Sequence, residues 1–326
     1  SDDVQNGTET DEDCGGTCPD TCPDGAGCDE SDECDSGICN GVTCEAPTCA
    51  DGVTNGEESD VDCGGPDCNN CGAGKSCDAA ADCTSNICTT GTCRCPAGMT
   101  TVPILGGGSY CIDPTEITYS QYNAFLTANP PNTVPACGAN ASYIPPSLWP
   151  PSDTTTAANY QQRPVRYVDW CDAAMYCAWS GKELCGSIDG EPISGDDLSD
   201  ATEDQWFNAC SAQGNNTYPY GDDFNAQTCS SALRTVPAAG LDTVRGTNGT
   251  TLVTTCQGGV SGVYQMSGNL AEWENSCEGS AGPTDDCVIR GGDYLDDTEG
   301  ELRCDTIETR DRNTTAADIG FRCCQR

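Results

Sequence analysis

Apolar side chains are scarce in the first 95 residues and become regularly spaced only further along the chain. The branched apolar residues of that first stretch are Val4, Ile38, Val42, Val53, Val61 and Ile87. So few side chains cannot bury a core, and a folded structure there has to be held by disulfides, each of which contributes about 2–4 kcal/mol. The pattern predicts small cysteine-bonded modules followed by a larger domain.

The larger domain carries helix signals. Residues 169–180 have apolar side chains at the spacing of one helix face, namely Trp170, Ala173, Ala174, Cys177 and Ala178. A further helix is expected over 120–128, and Thr202 is expected to cap a helix that continues to residue 209. Residues 127–163 are rich in Pro, Thr, Ser and Asn and predict a long ordered loop. Strand content is expected to be low and scattered.

A tandem repeat organises the beginning of the chain. The cysteines Cys14, Cys22, Cys28, Cys34, Cys39 and Cys44 recur with a constant offset as Cys63, Cys71, Cys77, Cys83, Cys88 and Cys93, and Cys18 matches Cys68 after a slip of one position. We therefore expect two tandem copies of one module and three domains, over residues 1–48, 49–95 and 96–326. The counterpart of Cys49 would fall just before Ser1, so either that cysteine was lost in processing or the first copy is cut short. The disulfide pairing within each copy stays open.

Acidic positions recur with the same offset. The residues Asp2, Asn6, Gly7, Glu9, Asp11 and Asp13 match Asp51, Asn55, Gly56, Glu58, Asp60 and Asp62. Carboxylates at every second position after a glycine turn are typical of calcium loops, so these side chains are candidate calcium ligands. The alternative is a solvated acidic stretch. The segment resembles Asp-rich repeats of bacterial exported proteins and, loosely, the calcium repeats of extracellular matrix proteins.

Composition narrows the class of protein. The 29 cysteines occur with no histidine and no regular CxxC pairing, which indicates disulfides and a location outside the reducing cytosol. Their odd number leaves at least one thiol free or bonded to another chain. No signal peptide is visible at Ser1, so we expect a mature, secreted or surface-located chain. The absence of histidine excludes a histidine general base, a Ser-His-Asp triad and a three-histidine iron site.

Charge excludes some partners. The formal net charge is −39, from 52 acidic and 13 basic residues, which disfavours nucleic acid and anionic membrane surfaces as partners and favours divalent cations. No apolar run is long enough to span a bilayer. Glycosylation sequons begin at Asn6, Asn140, Asn215, Asn248 and Asn313, and they either carry glycans or are unused.

One stretch carries the strongest motif. Residues 262–273 read GVYQMSGNLAEW and are followed by Arg290-Gly291-Gly292. Taken alone, they form a glycine-rich turn with two possible calcium ligands, Gln265 and Glu272. The segment resembles the G-x-Y-x-M-x-G-N-x-x-E-W signature of the formylglycine-generating enzyme (sulfatase-modifying factor) family. Further family-like motifs follow in the expected order at 111–118, 164–173, 181–184, 202–206, 218–221 and 320–322.

This resemblance covers roughly residues 96–326 and implies a C-type-lectin-like α+β fold with much irregular structure. It also implies a structural calcium site formed by the Gln265 and Glu272 side chains and the Gly268 and Leu270 carbonyls. A second site would include Asn225 and the Ala226 carbonyl, with further ligands in residues 242–255. The family pattern implies the disulfides Cys177–Cys323 and Cys210–Cys304, a local Cys277–Cys287 bond, and Cys111–Cys324.

The family oxidase binds copper(I) through two cysteines that follow the Arg-Gly-Gly segment. In this chain those positions fall on Asp296 and Glu301. Soft thiolates are what copper(I) requires, so we expect no copper or iron and no oxidase activity. The acidic residues Asp296, Asp297, Glu299, Glu301 and Asp305 form either a new site for a cation or a solvated loop.

The sequence thus predicts an exported, non-catalytic protein stabilised by calcium and disulfides. The first hypothesis for its function is a subunit of an extracellular or cell-surface assembly, such as a fibril, which self-associates through its N-terminal repeats. The second is a surface module that binds a glycan or another ligand. The third is an oxidase of cysteine peptides.

Overall fold

A computed structural model of the chain describes residues 4, 5, 7–105, 107–146, 160–229, 256–279 and 281–326. The chain divides into two units, Ser1–Arg94 and Cys95–Arg326. This boundary lies one residue before the one predicted from the sequence. No helix among the described residues is long and apolar enough to cross a membrane.

The N-terminal unit is built from two copies of one disulfide pattern. The bonds of the first copy are Cys14–Cys22, Cys28–Cys39 and Cys34–Cys44, and those of the second are Cys63–Cys71, Cys77–Cys88 and Cys83–Cys93. Each copy contains a short 3₁₀ helix, Ser31–Glu33 or Ala80–Asp82, and the second also has a hairpin of β1 (Cys88–Thr89) and β2 (Thr92–Cys93). Buried cysteines supply most of each core, as the scarcity of apolar side chains predicted.

The C-terminal unit contains three helices and two four-stranded sheets among its described residues. The helices are α1 (Tyr119–Ala128), α2 (Trp170–Trp179) and α3 (Gln205–Cys210). The strands are β3 (Thr100–Pro103), β4 (Ser109–Ile112), β5 (Glu183–Leu184), β6 (Ala271–Cys277), β7 (Asp286–Arg290), β8 (Ile307–Asp311), β9 (Ile319–Phe321) and β10 (Cys323–Gln325). One sheet has the order β3-β4-β10-β5 and the other β8-β7-β6-β9, in which only β6 and β9 run parallel.

The helix starts follow local capping chemistry. Thr118 and Asp169 cap α1 and α2 by accepting the backbone N–H groups of Gln121 and Asp172. The predicted cap of α3 was wrong, because Asp204 accepts the Phe207 N–H at 2.8 Å. Thr202 instead donates its hydroxyl to Asp200 at 2.6 Å. The predicted loop over 127–163 contains a 3₁₀ turn, Pro135–Cys137, and its residues 147–159 lie outside the described part of the chain.

The main core packs α1 and α2 against the β6–β9 sheet. Its centre is aromatic, with Tyr122 stacked on Tyr176 at 5.8 Å between ring centroids and Tyr176 against Phe321 at 5.4 Å. A second core lies under the β3–β10 sheet around Trp206 and Met266. The family motifs therefore supply packing residues as well as the polar groups described below.

Disulfides connect distant parts of this unit. Three of the four predicted bonds are present, namely Cys177–Cys323, Cys210–Cys304 and Cys277–Cys287. The predicted Cys111–Cys324 bond was wrong. In the paired strands β4 and β10, Cys111 lies opposite Gln325 and Cys324 lies opposite Ile112, so the two cysteine side chains point to opposite faces of the sheet. The bonds Cys95–Cys111, Cys185–Cys324, Cys137–Cys171 and Cys229–Cys256 form instead.

Candidate functional site

A buried arginine occupies the centre of the motif region. Arg322, which lies between β9 and β10, donates Nε to Glu272 Oε2 and Nη2 to Glu272 Oε1, both at 2.6 Å. Its Nη1 donates to the Asp113 carbonyl, and Nη2 reaches the Tyr264 carbonyl at 2.9 Å. Trp206 Nε1 also donates to Glu272 Oε2, at 2.9 Å. The closing Gly-Phe-Arg motif thus neutralises the carboxylate of the Glu-Trp motif, which lies on a different strand.

This arrangement bears on the predicted calcium site. Gln265, Gly268 and Leu270 lie in the same segment, and Gln265 and Leu270 are buried. Glu272, however, has both carboxylate oxygens on the Arg322 guanidinium. A calcium ion bound there would lie beside a buried positive charge, so the residues as arranged do not fit calcium. The structure supplies an arginine as counter-charge where the sequence predicted a metal.

The second predicted calcium site is only partly described. Asn225 is exposed, and its Oδ1 accepts the Gln227 N–H at 3.0 Å. Ala226 is half-buried beside it. The expected further ligands, in residues 242–255, lie outside the described part of the chain. A calcium ion at this position stays a prediction.

A second carboxyl group lies beside the arginine pair. Glu116, from the motif before α1, is fully buried, and its Oε1 accepts Asn269 Nδ2 at 2.6 Å. Within the described structure, Oε2 has no hydrogen-bond partner. Burial raises the pKa of Glu116 to about 8, repulsion from Glu272 adds to this, and Arg322 opposes it. These surroundings favour the protonated form of Glu116.

A further buried ion cluster surrounds Arg290. Its Nη2 donates to the Cys304 carbonyl at 2.9 Å and lies 3.6 Å from Asp204 Oδ2, and its Nε lies 3.9 Å from Glu274 Oε2. The guanidinium also stacks on the Trp206 ring at 5.2 Å. Burial and then repulsion from Asp204 raise the pKa of Glu274 well above its usual range. Sequence reasoning did not single out Glu116, Asp204 or Glu274 as site residues, although Glu116 and Asp204 lie within the family-like motifs.

The two glycines after Arg290 allow close packing. A Cβ on Gly291 would lie 2.9 Å from the Met266 carbonyl oxygen and 3.0 Å from the Trp206 ring, and Gly291 has a φ of +87°. A Cβ on Gly292 would lie 2.5 Å from Asp296 Oδ2. The turn therefore brings the Asp296 carboxylate onto the backbone, where it accepts the Asp293 N–H at 2.7 Å.

The acidic segment after this turn forms a small cavity of about 30 Å³, lined by Asp293, Asp296, Glu308, Thr306 and Arg310 among others. Burial, followed by neighbouring carboxylates, raises the pKa of Asp293 to about 7 and that of Asp296 to about 6. Glu301 accepts both the N–H and the hydroxyl of Thr298. The nearby Cys304 is bonded to Cys210. The segment offers carboxyl groups where copper(I) would require thiolates.

Four of the acidic side chains predicted as ligands in the repeats accept backbone N–H groups of the same unit. Asp11 accepts the Gly27 N–H at 2.6 Å, and Asp60, its counterpart in the second copy, accepts the Ser76 N–H at the same distance. Two other predicted ligands act in the same way, since Asp51 accepts Thr48 N–H at 2.6 Å and Asp62 accepts Gly52 N–H at 2.8 Å. These carboxylates hold turns together in a unit whose cores consist mainly of cysteines.

The other predicted ligands of the repeats behave less uniformly. Asn55 donates to the Ser36 carbonyl at 2.8 Å, and Glu58 accepts the Asn55 N–H at 3.3 Å. Glu9 and Asp13 are the first-copy counterparts of Glu58 and Asp62, and Asp2 and Asn6 lie outside the described residues. Within the described part of the repeats, no three carboxylates have oxygens within 4.8 Å of one another. Calcium binding by the repeats stays a prediction.

A larger cavity lies at the start of α2. It has a volume of about 190 Å³ and is lined by Ala136, Cys137, Ala139, Asn140, Ala141, Asp169, Cys171, Ala281, Pro283, Arg312 and Asn313. Arg312 stacks on Trp170 at 4.8 Å and pairs with Asp285 at 3.2 Å. The sequon residue Asn140 donates to Asp172 at 2.9 Å. Asn313 and Asn215 are exposed sequon residues, and Asn6 and Asn248 are not among the described residues.

These features define a class of protein. It is a disulfide-bonded α+β domain whose centre is a buried ion network and whose described cysteines are all paired from Cys95 onward. The model of the FGE-sulfatase family, described as a "Sulfatase-modifying factor enzyme 1-like domain", matches residues 99–326. The chain belongs to this family, as the motifs predicted.

Curated relatives are similar over part of their length. "Inactive C-alpha-formylglycine-generating enzyme 2" of Mus musculus is 29% identical over 188 residues, 55% of each chain, and its Bos taurus counterpart is 31% identical over 166 residues, 49% of each chain. "Formylglycine-generating enzyme" of Mus musculus is 26% identical over 210 residues, 58% of this chain and 50% of its own. The chain spans about half the length of these relatives.

Among solved structures, similarity to this chain is found at lower sequence identity. "Structure of PvdO from Pseudomonas aeruginosa" has 18% sequence identity and a TM-score of 0.44, covering 71% of this chain and 92% of its own.

Proposed function

We propose that the C-terminal domain is non-catalytic and that the protein is an exported structural subunit. The loss of catalysis is inferred from the disulfide bonding of the cysteines in this domain. From Cys95 to Cys324, each cysteine is in a disulfide, so this unit offers no thiolate pair to copper(I). The name of the two inactive relatives supports the same conclusion.

Copper(I) titration tests the loss of catalysis. The wild-type protein should bind no copper(I) at a two-thiolate site in the C-terminal domain and consume no oxygen with a cysteine-containing peptide. In the double variant Asp296→Cys/Glu301→Cys, we expect one copper(I) per chain. A control with shifted spacing, Asp297→Cys/Glu301→Cys, should bind more weakly. Oxygen consumption by the wild-type protein with copper would refute this part of the proposal.

The structural role rests on how the N-terminal unit is built. Its repeats are held by disulfides, which require an oxidising compartment, and by carboxylate–backbone hydrogen bonds. A tandem disulfide-bonded module of this kind suits a spacer or docking element in an extracellular or cell-surface assembly. We propose that the repeats mediate self-association and that calcium reduces the repulsion among carboxylates on a chain of net charge −39.

Imaging the purified protein with and without a calcium chelator tests this role. Filaments that dissolve on chelation would support both self-association and calcium binding. Filaments that persist would support self-association and refute the role of calcium. Monomers at high protein concentration in millimolar calcium would refute the assembly role. A variant with Asp11→Asn and Asp60→Asn should require more calcium, whereas Asp223→Asn, an exposed control outside the repeats, should not.

A second candidate function is suggested by the 190 Å³ cavity. Small apolar side chains line one part of it, and Asp169, Asn140 and Asn313 place polar groups beside them, as in sites for small polar ligands. A glycan array in millimolar calcium would test binding. Ala139→Trp should fill the cavity and abolish any signal, whereas Ala178→Trp, on an exposed position of α2, should preserve it. An array without binding refutes the glycan-binding function.

A further inference from the structure

The two repeats differ at one disulfide. Their three shared bonds have nearly the same geometry, with Cα–Cα distances of 5.0, 6.1 and 5.5 Å in the first copy and 5.0, 6.0 and 5.4 Å in the second. The second copy has a fourth bond, Cys49–Cys68, with a Cα–Cα distance of 5.4 Å. The matching cysteine of the first copy, Cys18, is a free thiol.

The loop that carries this cysteine is held in the same way in both copies. Each loop begins with two glycines in the left-handed region, and a Cβ on Gly16 would lie 1.7 Å from the Thr8 carbonyl oxygen, as one on Gly65 would lie 2.0 Å from that of Glu57. Cys18 follows this turn one residue earlier than Cys68, and both side chains are half-buried. The Cys18 thiol of the first copy therefore lies in the loop in which Cys68 of the second copy is bonded to Cys49.

The disulfides of the structure leave no partner for Cys18 within this sequence. The chain has 29 cysteines, and the 14 disulfides of the structure use the other 28. In the second copy the bond comes from Cys49, which lies outside the six-cysteine pattern of that copy and well before its first member, Cys63. The incoming cysteine thus lies at the start of the second copy, outside the six-cysteine pattern, and it bonds the loop that follows the two glycines.

We propose that Cys18 forms a disulfide with a cysteine from outside residues 1–326 of its own chain, in the manner in which Cys68 receives Cys49. The partner is a cysteine-bearing segment of the same acidic repeat type, carried either on the same polypeptide or on a second one. Joining the two thiols releases two protons and two electrons, and a disulfide of the oxidising compartment accepts both and becomes two thiols. On a second polypeptide the bond would make the proposed self-association covalent, and to that extent it rests on the proposed function.

The test is a thiol map of the protein isolated from its natural source, with N-ethylmaleimide present from lysis. Peptides are produced without reduction and identified by mass spectrometry, next to gels run with and without reductant. We expect the Cys18 peptide to be joined to a second cysteine peptide. A doubled mass that reductant removes places the partner on another chain, and an unchanged mass places it on the same polypeptide. The second result keeps this inference and contradicts covalent self-association.

Two results would overturn the proposal. One is Cys18 recovered as the maleimide adduct in the native protein, and the other is Cys18 joined to any of the 28 cysteines that the structure pairs elsewhere. Cys18→Ser should remove the external bond and preserve the three disulfides of the first copy. As a matched comparison, Cys49→Ser should leave Cys68 as a second reactive thiol. Because the thiol map uses the wild-type protein, the test does not depend on the folding of either variant.

Discussion

Arg322 holds Glu272 through two hydrogen bonds of 2.6 Å, and neither side chain is more than 1% exposed. The pair joins β6, which carries Glu272, to the residue between β9 and β10. Such a pair contributes little net stability relative to apolar residues of the same volume, but removing one partner leaves an uncompensated buried charge. We therefore expect a substitution of Arg322 alone to destabilise the fold strongly through the unpaired Glu272.

Replacing Arg322 tests this dependence. Arg322→Met should lower the free energy of unfolding by about 3–5 kcal/mol, because Glu272 is left buried without its counter-charge. Denaturant unfolding followed by tryptophan fluorescence measures the change. Arg303→Met breaks an ion pair in which both side chains are more than 40% exposed, and it should cost at most about 1 kcal/mol. Equal effects of the two substitutions would contradict the prediction, and adding Glu272→Gln to Arg322→Met should restore part of the loss.

The sequence span of a disulfide should not by itself decide its contribution. Cys177–Cys323 closes a separation of 146 residues and Cys277–Cys287 one of 10, but Cys185–Cys324 closes nearly the same loop as Cys177–Cys323. On the chain-entropy model, replacing either pair alone by alanines should therefore cost about 3 kcal/mol, because a loop of about ten residues is released in both cases. Thermal unfolding of the two double variants measures the two losses. A loss of about 5 kcal/mol for Cys177–Cys323 alone would contradict this prediction.

The repeats should lose stability in acid. The Gly27 N–H lowers the pKa of Asp11, and at Asp60 the raising effect of burial is outweighed by the Ser76 and Val61 N–H groups. A lowered pKa in the folded state stabilises it fully above the ordinary value of 3.8, and this contribution is lost as pH falls through the folded value.

Amide proton shifts of Gly27 and Ser76, followed by NMR, should titrate with midpoints below pH 3.8. Asp11→Asn should abolish the shift at Gly27 and leave that at Ser76, and Asp60→Asn should do the reverse. Midpoints above the ordinary value would show that these hydrogen bonds do not stabilise the carboxylates.

The cavity after Gly292 should respond to pH in the opposite direction. Burial raises the pKa of Asp293 to about 7, and Asp296 adds repulsion. A carboxyl group with a raised pKa stabilises the fold less as pH rises from 3.8 to about 7. In this range the unfolded chain releases the proton freely, whereas the folded protein would have to bear a buried negative charge to do so. Asp296→Asn should lower the pKa of Asp293, measured by carboxyl ¹³C NMR. The exposed Asp297→Asn should change it less, and an equal change would refute direct coupling.

Much of the architecture could be predicted from the sequence. The constant offset between matching cysteines, such as Cys14 and Cys63, predicted the tandem repeats, because identical spacing of cysteines favours identical bonding. Spacing of apolar side chains located α2 to within a residue at either end, since local capping and amphipathic pattern decide where a helix runs. The helix expected over 120–128 also agrees with α1 to within a residue. The order of motifs from residue 111 to 322 placed the chain in its family.

Other features depended on tertiary structure. Thr202 and Asp204 are both good helix caps, and only the path of the chain before α3 selected Asp204. The pairing of Cys111 depended on strand register, because a shift of one residue moves a side chain to the other face of the sheet. The register between β4 and β10 depends on the folding of residues 113–322, which separate the two strands, and no local pattern encodes it.

The sequence by itself determined which groups are available: cysteines without histidine, carboxylates in excess, and the motif residues Glu272 and Arg322. Tertiary structure decided what each group does. It placed Arg322 against Glu272 where a calcium ion was expected, and it turned Asp11 and Asp60 onto backbone N–H groups. The physical reason is that a carboxylate can bind a metal ion, a guanidinium or a backbone amide, so its role depends on which of these the fold brings close to it.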